Sequence, residues 1–364
     1  MYSAVNIDKI CIDSDGSLFQ AVSVMNENHL GIVLVVDEKQ MLIGIVSDGD
    51  VRRAMLSNLD LEVPVATLLA GKVGSKYERP ITVLYGQPYA EYLEIMEQHG
   101  ISVLPLLDEG DRVAGLITME DLLARGSVPI VQQVRVQAVV MAGGKGTRLR
   151  PLTEEVPKPM LHVGERPLLE LIIEQLRDAG IQHVNIATHY KPEKITEHFG
   201  DGRDFGVSLN YVNEDRPLGT AGALSLIKAS QEPLLVINGD ILTCVDFQAM
   251  MTYHRTHEAD MTVAVRKYDL QVPYGVVESD GPHIRSLNEK PVLNFFINAG
   301  IYLLQPNVSS FIPNGEYLDM NQLIDKLLVA NLRVVSFPII EYWLDVGQMD
   351  DYERAQKDLE DGKV

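Results

Sequence analysis

The 364 residues carry 51 acidic against 31 basic side chains, a formal net charge of −20. This excludes a nucleic-acid binder of the ordinary kind, because no excess of Lys and Arg is available to neutralise a phosphate backbone. Cys11 and Cys244 are the only cysteines. They lie far apart and without metal-ligand spacing, so neither a disulfide framework nor a zinc site is expected. No run approaches the roughly 18 apolar residues of a membrane span, and the N-terminus lacks the layout of a signal peptide. A cytoplasmic protein without a membrane partner is expected, and the length suits two or three domains.

The first third of the chain contains a duplication. Gly44-Ile45-Val46-Ser47-Asp48-Gly49-Asp50-Val51 recurs as Gly115-Leu116-Ile117-Thr118-Met119-Glu120-Asp121-Leu122, with glycine, hydroxyl and carboxylate in register. Ahead of each copy stand a helical pattern (18–28, then 89–99), an apolar strand (31–36, then 101–107) and a tight turn (37–39, then 108–111). A final helix should begin just after Ser47 or Thr118. A hydroxyl followed three residues later by a carboxylate is a helix-capping arrangement. Occurring twice in register, it resembles the cystathionine-β-synthase (CBS) domain pair. That resemblance implies an α/β module over residues 1–127, with copies at about 8–58 and 75–125. It also implies an adenine nucleotide whose phosphate meets Ser47 and Thr118 and whose ribose meets Asp50 and Asp121. Arg125-Gly126-Ser127-Val128-Pro129 breaks the periodicity, so residues 128–135 are expected to form a linker, too short for free relative motion.

From residue 136 to 364 helical and strand patterns alternate, as in a Rossmann-like, doubly wound, mostly parallel sheet. The apolar run 138–142 predicts a buried strand emptying into a loop with Gly143, Gly144 and Gly146. Glycines there let backbone N–H groups gather around an anion. Arg148 and Lys158 follow on the same connection, and Pro151, Pro157 and Pro159 hold it out of a regular helix. A glycine cradle with two cations suits a triphosphate. Residues 168–179 should form an amphipathic helix ended by Gly180, with a strand at 184–188, a helix at 191–200 and a strand at 207–212. Ligands in such sheets gather beyond the carboxyl ends of the strands, which singles out four segments. In 217–224 two glycines allow close backbone approach to something flat. In 234–240 a buried strand ends at Asp240, placed either to cap the next segment or to hold a divalent metal. The third comprises Tyr274-Gly275-Val276-Val277, Asn288-Glu289-Lys290-Pro291 and Asn298-Ala299-Gly300-Ile301-Tyr302. The fourth, Trp343-Leu344-Asp345-Val346-Gly347, sets the only tryptophan beside another carboxylate.

Taken in order, the glycine loop with Thr147-Arg148-Leu149, Pro157-Lys158-Pro159, Leu218-Gly219-Thr220-Ala221-Gly222, Asn238-Gly239-Asp240 and the segments above resemble the sugar-1-phosphate nucleotidylyltransferases. A P-loop would need Ser or Thr after Lys145, and a dinucleotide fingerprint would need glycine at Leu149. The resemblance implies attack by a sugar-1-phosphate oxygen on the α-phosphorus of a nucleoside triphosphate, with loss of pyrophosphate. It assigns Gly143, Gly144, Gly146 and Thr147 to the triphosphate, Gly219 and Thr220 to the nucleobase, and Arg148 and Lys158 to the reacting phosphates. Asp240 and Asp345 fall to Mg²⁺, Lys290 to the sugar phosphate, and Gly275, Glu289 and Asn298 to the sugar. Leu218 to Gly222 looks like the mannose-1-phosphate guanylyltransferase branch. A CBS pair ahead of such a domain is similar to the glucosamine-1-phosphate guanylyltransferases of bacterial legionaminic-acid synthesis. The expectation is therefore GTP with a hexose- or hexosamine-1-phosphate, in a homo-oligomer without a C-terminal acetyltransferase repeat. UTP, dTTP or CTP is the alternative, and a non-catalytic nucleotide-sugar sensor is the rival of another class.

Overall fold

A computed structural model describes residues 7–28, 30–75, 78–119, 121–122, 136–228 and 230–364. The chain divides into two compact units, residues 1–133 and 134–364. The expected linker, 128–135, lies outside the described residues.

In the first unit, β1 (Cys11–Asp13), α1 (Leu18–Asn28), β2 (Ile32–Val36), β3 (Leu42–Ser47), α2 (Asp48–Leu56) and α3 (Ala66–Gly71) make one copy of the repeat. The other is β4 (Val83–Leu84), α4 (Tyr89–His99), β5 (Val103–Leu107) and β6 (Val113–Thr118). Each copy is a three-stranded sheet, β1-β2-β3 or β4-β5-β6, with a parallel pair and then an antiparallel one. The shared register brings Ser47 opposite Ile32 and Thr118 opposite Val103. The sequence reading missed β1 and β4 because three and two residues are too few to show a period. Ile10, Leu34 and Val36 pack with Val113 and Leu116, so the two copies share a core. The final helix expected after Thr118 lies largely outside the described residues.

The second unit runs β7 (Gln137–Met141), β8 (His162–Val163), β9 (Arg166–Pro167), α5 (Leu168–Asp178), β10 (His183–Thr188), α6 (Pro192–Phe199), β11 (Ser208–Asn213) and α7 (Gly219–Gly222). It continues with β12 (Leu234–Asn238), β13 (Ile241–Thr243), α8 (Phe247–Thr256), β14 (Met261–Gln271), β15 (Val276–Asp280), β16 (His283–Asn288) and β17 (Val292–Leu304). Last come α9 (Met320–Val329), β18 (Val334–Ile339), β19 (Trp343–Asp345) and α10 (Met349–Glu360). Seven strands form one sheet, β11-β10-β7-β12-β17-β14-β18, in which only β17 runs antiparallel to its neighbours. The mixed α/β, mostly parallel architecture is as expected. Both faces are covered: Ala138 and Val140 point into one core with Leu169, Ile172 and Phe247, and Val139 points into the other with Leu323 and Leu327. Two-sided burial explains why β7 reads as an unbroken apolar run rather than an alternating one. The glycine-containing segment 217–224 itself forms α7, which runs on into a 3-10 turn (Ala223–Leu226). The distal halves of β14 and β17 pair beyond the sheet, Tyr268 with Phe295 and Leu270 with Leu293. These four side chains are exposed, as are those of the β15–β16 hairpin, apart from partly covered Val276 and Ser286.

His254 on α8 is buried, its Nδ1 2.7 Å from Thr262 Oγ1 and its Nε2 3.0 Å from Gln305 Nε2. Burial pushes its pKa down from 6.5 to about 4. Between these values the unfolded chain takes up a proton that the folded chain refuses, so stability is intact above pH 6.5 and falls as pH drops towards 4. The loss should be on the order of 3 kcal/mol. Denaturant titrations across this range should show that slope in the wild type and a flatter one in His254→Gln.

Candidate active site

The register of the central strands sets the site. Asn238 at the end of β12 pairs with Met141 at the end of β7, and Gly239 N–H donates to Met141 O at 2.9 Å. The glycine loop and Asn238-Gly239-Asp240 therefore leave the same edge of the sheet side by side. β13 then pairs antiparallel with β19, Ile241 opposite Asp345, and Val346 N–H donates to Asp240 O at 2.9 Å. Two carboxylates 105 positions apart in the numbering are fixed next to each other by a three-residue ladder.

Lys158, buried in a short 3-10 turn, reaches both acids: its Nζ lies 2.5 Å from Asp240 Oδ2 and 3.9 Å from Asp345 Oδ1. Asp345, half-exposed, has its carboxyl pushed above the usual range by desolvation and by Asp240, against the pull of Lys158 and Arg148. Negative charge thus exceeds what one lysine offsets, as a cation site requires. Among the described residues no group of three or more His, Cys, Asp or Glu could hold a metal. Two carboxylates suit an ion such as Mg²⁺, which commonly takes one or two from the protein and its other oxygens from water and substrate phosphates.

Gly146 adopts φ 59°, and a Cβ there would lie 2.9 Å from both Lys158 Cβ and Thr153 Cγ2. Buried Thr153 donates its hydroxyl to Gly146 O at 2.7 Å. The loop is thereby seated on the lysine that bridges the acids. The N–H groups of Gly143, Gly144 and Lys145 meet no acceptor among the described residues. A Cβ on Gly144 would touch nothing within 4 Å. Open space above unpaired donors is the geometry of an anion cradle. Thr147 and Arg148 are exposed on the same loop.

A cleft of about 350 Å³ opens between Thr220, Asn238, Asn298, Tyr302, Asp319 and Asn321. It brings Thr220 and Asn298 together, and the backbone at Gly219 is packed closely. A Cβ on Gly219 would come within 2.6 Å of Leu318 O, and one on Gly222 within 2.4 Å of Glu316 O. The close approach these glycines allow is to the chain's own backbone. Gly275 and Glu289 also meet, since a Cβ on the glycine would lie 3.0 Å from Glu289 Oε2. Glu289 and Lys290 are exposed, and no hydrogen bond or ion pair ties them to Asp240 or Asp345 among the described residues. Ser47 with Asp50, and Thr118 with Asp121, make the same hydroxyl–carboxylate contact in each repeat.

Sequence reasoning missed two residues. Asn238 Oδ1 is buried without a hydrogen-bond partner among the described residues and belongs to a cleft-lining side chain. Glu214 is buried directly after β11; its Oε2 accepts from Leu218 N–H at 2.9 Å, while its Oε1 lies 3.0 Å from the Cβ position of Gly143. No cation pairs with Glu214 among the described residues. The available signal was its place at the carboxyl end of a strand, the argument that found Asp240.

The Nucleotidyl transferase family model matches residues 137–362, and the CBS domain model matches 4–57 and 75–127. The chain belongs to the nucleotidyl transferase family, with a CBS pair ahead of the transferase domain. It is 34% identical over 234 residues to mannose-1-phosphate guanylyltransferase of Mycobacterium tuberculosis, covering 62% of this chain and 65% of the relative. With mannose-1-phosphate guanyltransferase of Saccharomyces cerevisiae the identity is 34% over 226 residues, 59% of this chain and 62% of the relative. The chain thus spans less than two thirds of these relatives. A crystal structure from Bacillus anthracis, provisionally assigned as a glucose-1-phosphate thymidylyltransferase with sucrose bound, has the same fold. Its TM-score is 0.51 at 24% identity, over 61% of this chain and 94% of that one. No helix among the described residues is long and apolar enough to cross a membrane.

Trp343 joins the two halves of the site: its Nε1–H donates to Ala299 O at 2.9 Å, between Asn298 and Gly300. Trp343→Phe keeps the ring packing but strands that carbonyl, and should lower stability by about 1 kcal/mol, measured by denaturant unfolding followed by circular dichroism.

Proposed function

We propose that the chain transfers a nucleoside monophosphate, best GMP from GTP, to a hexose- or hexosamine-1-phosphate, releasing pyrophosphate. The observation that carries this is the glycine cradle seated on Lys158, with Asp240 and Asp345 on the lysine's other side. Gly143, Gly144, Gly146 and Thr147 hold the triphosphate. Lys158 and Arg148 offset the charge that builds at the α-phosphorus, and the two aspartates hold Mg²⁺. The ion supplies Lewis-acid neutralisation of phosphate oxygens when bound. Asn298 and Asn238 in the cleft, with Gly275, Glu289 and Lys290 on the β14–β17 arm, receive the sugar phosphate. The attacking phosphate oxygen is already ionised, so no protein base is needed, and catalysis rests on alignment and charge neutralisation.

Glu214 favours guanine. Its Oε1 and the neighbouring carboxylate edge can accept from both N1–H and the N2 amino group of guanine. Uracil and thymine offer one such donor flanked by two carbonyls that repel a carboxylate, and cytosine and adenine put a ring acceptor beside their amino group. Gly219 and Thr220 lie on the same connection. The CBS pair is read as a regulatory nucleotide site at Ser47, Asp50, Thr118 and Asp121, and the whole as a cytoplasmic homo-oligomer.

Pyrophosphate release should be assayed over GTP, UTP, dTTP and CTP with mannose-, glucose- and glucosamine-1-phosphate. GTP should support the highest kcat/KM, and Glu214→Gln should narrow the preference at least tenfold. Release with no combination would favour the sensor reading. Asp240→Asn should keep the fold by circular dichroism and lose at least a hundredfold in Mg²⁺-dependent turnover. A near-normal rate would remove Asp240 from the metal site.

A further inference from the structure

The two repeats share a backbone but not a charge environment. In the second copy Asp121 is exposed. Its Oδ2 accepts from Thr118 N–H at 3.0 Å and from Thr118 Oγ1 at 2.7 Å, and its Oδ1 has no partner among the described residues. In the first copy Asp50 is buried, and both of its oxygens are engaged. Oδ2 accepts from Ser47 N–H at 2.9 Å, Ser47 Oγ at 2.8 Å and Lys72 Nζ at 2.6 Å, while Oδ1 takes the guanidinium of Arg53. Lys72 is held in place a second time, donating to Ile45 O at 2.8 Å. The sequence makes this asymmetry permanent. At the repeat offset Ala124 stands where the first copy has Arg53, and Lys72 belongs to the connection between the copies, so it has no counterpart in the second.

We infer that Lys72 is an internal occupant of the first repeat, closing Asp50 to ligand, and that a nucleotide ribose is taken by the second repeat alone, on Asp121 and Thr118. This rests on the reading of the CBS pair as a nucleotide site. A carboxylate recognises a vicinal diol by accepting from both hydroxyls. Asp121 keeps an oxygen for that task and Asp50 keeps none. To reach Asp50 a ribose must pull a partly buried ammonium out of its ion pair and leave it only the carbonyl of Ile45, which is unfavourable. Burial opposes ionisation of Asp50, but Lys72 and Ser47 outweigh it and hold the carboxyl below its ordinary range, as a standing ion pair would.

ADP binding to the full chain, measured by equilibrium dialysis, tests the assignment. The expected result is an equivalent that Asp121→Asn weakens at least tenfold and Asp50→Asn changes less than twofold, with a further equivalent appearing in Arg53→Ala/Lys72→Met, which leaves Asp50 with the same kind of partners as Asp121. At N3 of the capping box the asparagine amide oxygen can still accept from the N-cap N–H. Should Asp50→Asn fail to fold, the double variant Asp50→Asn/Lys72→Met removes the pair whole and should retain the original equivalent. Equal losses from Asp50→Asn and Asp121→Asn, or no added equivalent in Arg53→Ala/Lys72→Met, would overturn the assignment while leaving the nucleotide reading in place. No ADP bound by the wild type or by Arg53→Ala/Lys72→Met overturns both. Amine acylation read by mass spectrometry checks the occupant without any nucleotide: Lys72 should be protected in the wild type and react at least fivefold faster in Asp50→Asn, and equal rates overturn it.

Discussion

The site depends on one unequal charge balance, two carboxylates sharing a single buried lysine. Lys158 can be buried only because Asp240 pairs with it, and Asp240 and Asp345 can sit together only because Lys158 lies between them. Isolated charges in such a place would be neutralised or expelled. The imbalance that remains attracts a cation, and the unpaired N–H groups of the glycine loop on the lysine's other side attract an anion. A triphosphate chelated to a divalent metal satisfies both at once. This gives a physical reason for the two ligands to arrive together rather than singly.

The sheet supplies geometry that side chains alone cannot. Parallel pairing of β7 with β12 brings their carboxyl ends level, and the small β13–β19 ladder returns the chain from Asp345 to Asp240. Trp343 then ties that ladder to the middle of β17, where Asn298 and Gly300 border the cleft. Charge neutralisation and substrate orientation thus share one frame, and a displacement of either strand is felt in both.

Much of this was legible in the residues. The duplication, the alternation after residue 136, the glycine loop and the placing of Asp240 at a strand end follow from local patterning, whereas Asp345 was singled out by the family resemblance. The pairing of Lys158 with Asp240 was not legible, since it depends on which loops leave the sheet together. The packing of Gly219 and Gly222 against Leu318 O and Glu316 O was not legible, because a glycine that admits a ligand and one that admits a backbone carbonyl are identical in sequence. Glu214 was passed over for a similar reason: an acid among Asn213, Asp215 and Arg216 reads as a solvated loop until its burial is seen. In the repeats, identical motifs concealed different surroundings, since Lys72 reaches Asp50 from outside the motif.

The interlock at Gly146 bears on how this loop can vary over time. A side chain at 146 would press on Thr153 and on the stem of Lys158 at once, and through Lys158 on Asp240. Residues in three separate stretches of sequence therefore drift as a linked set or not at all. A change in the cradle that never touches Asp240 is transmitted to it mechanically through Lys158.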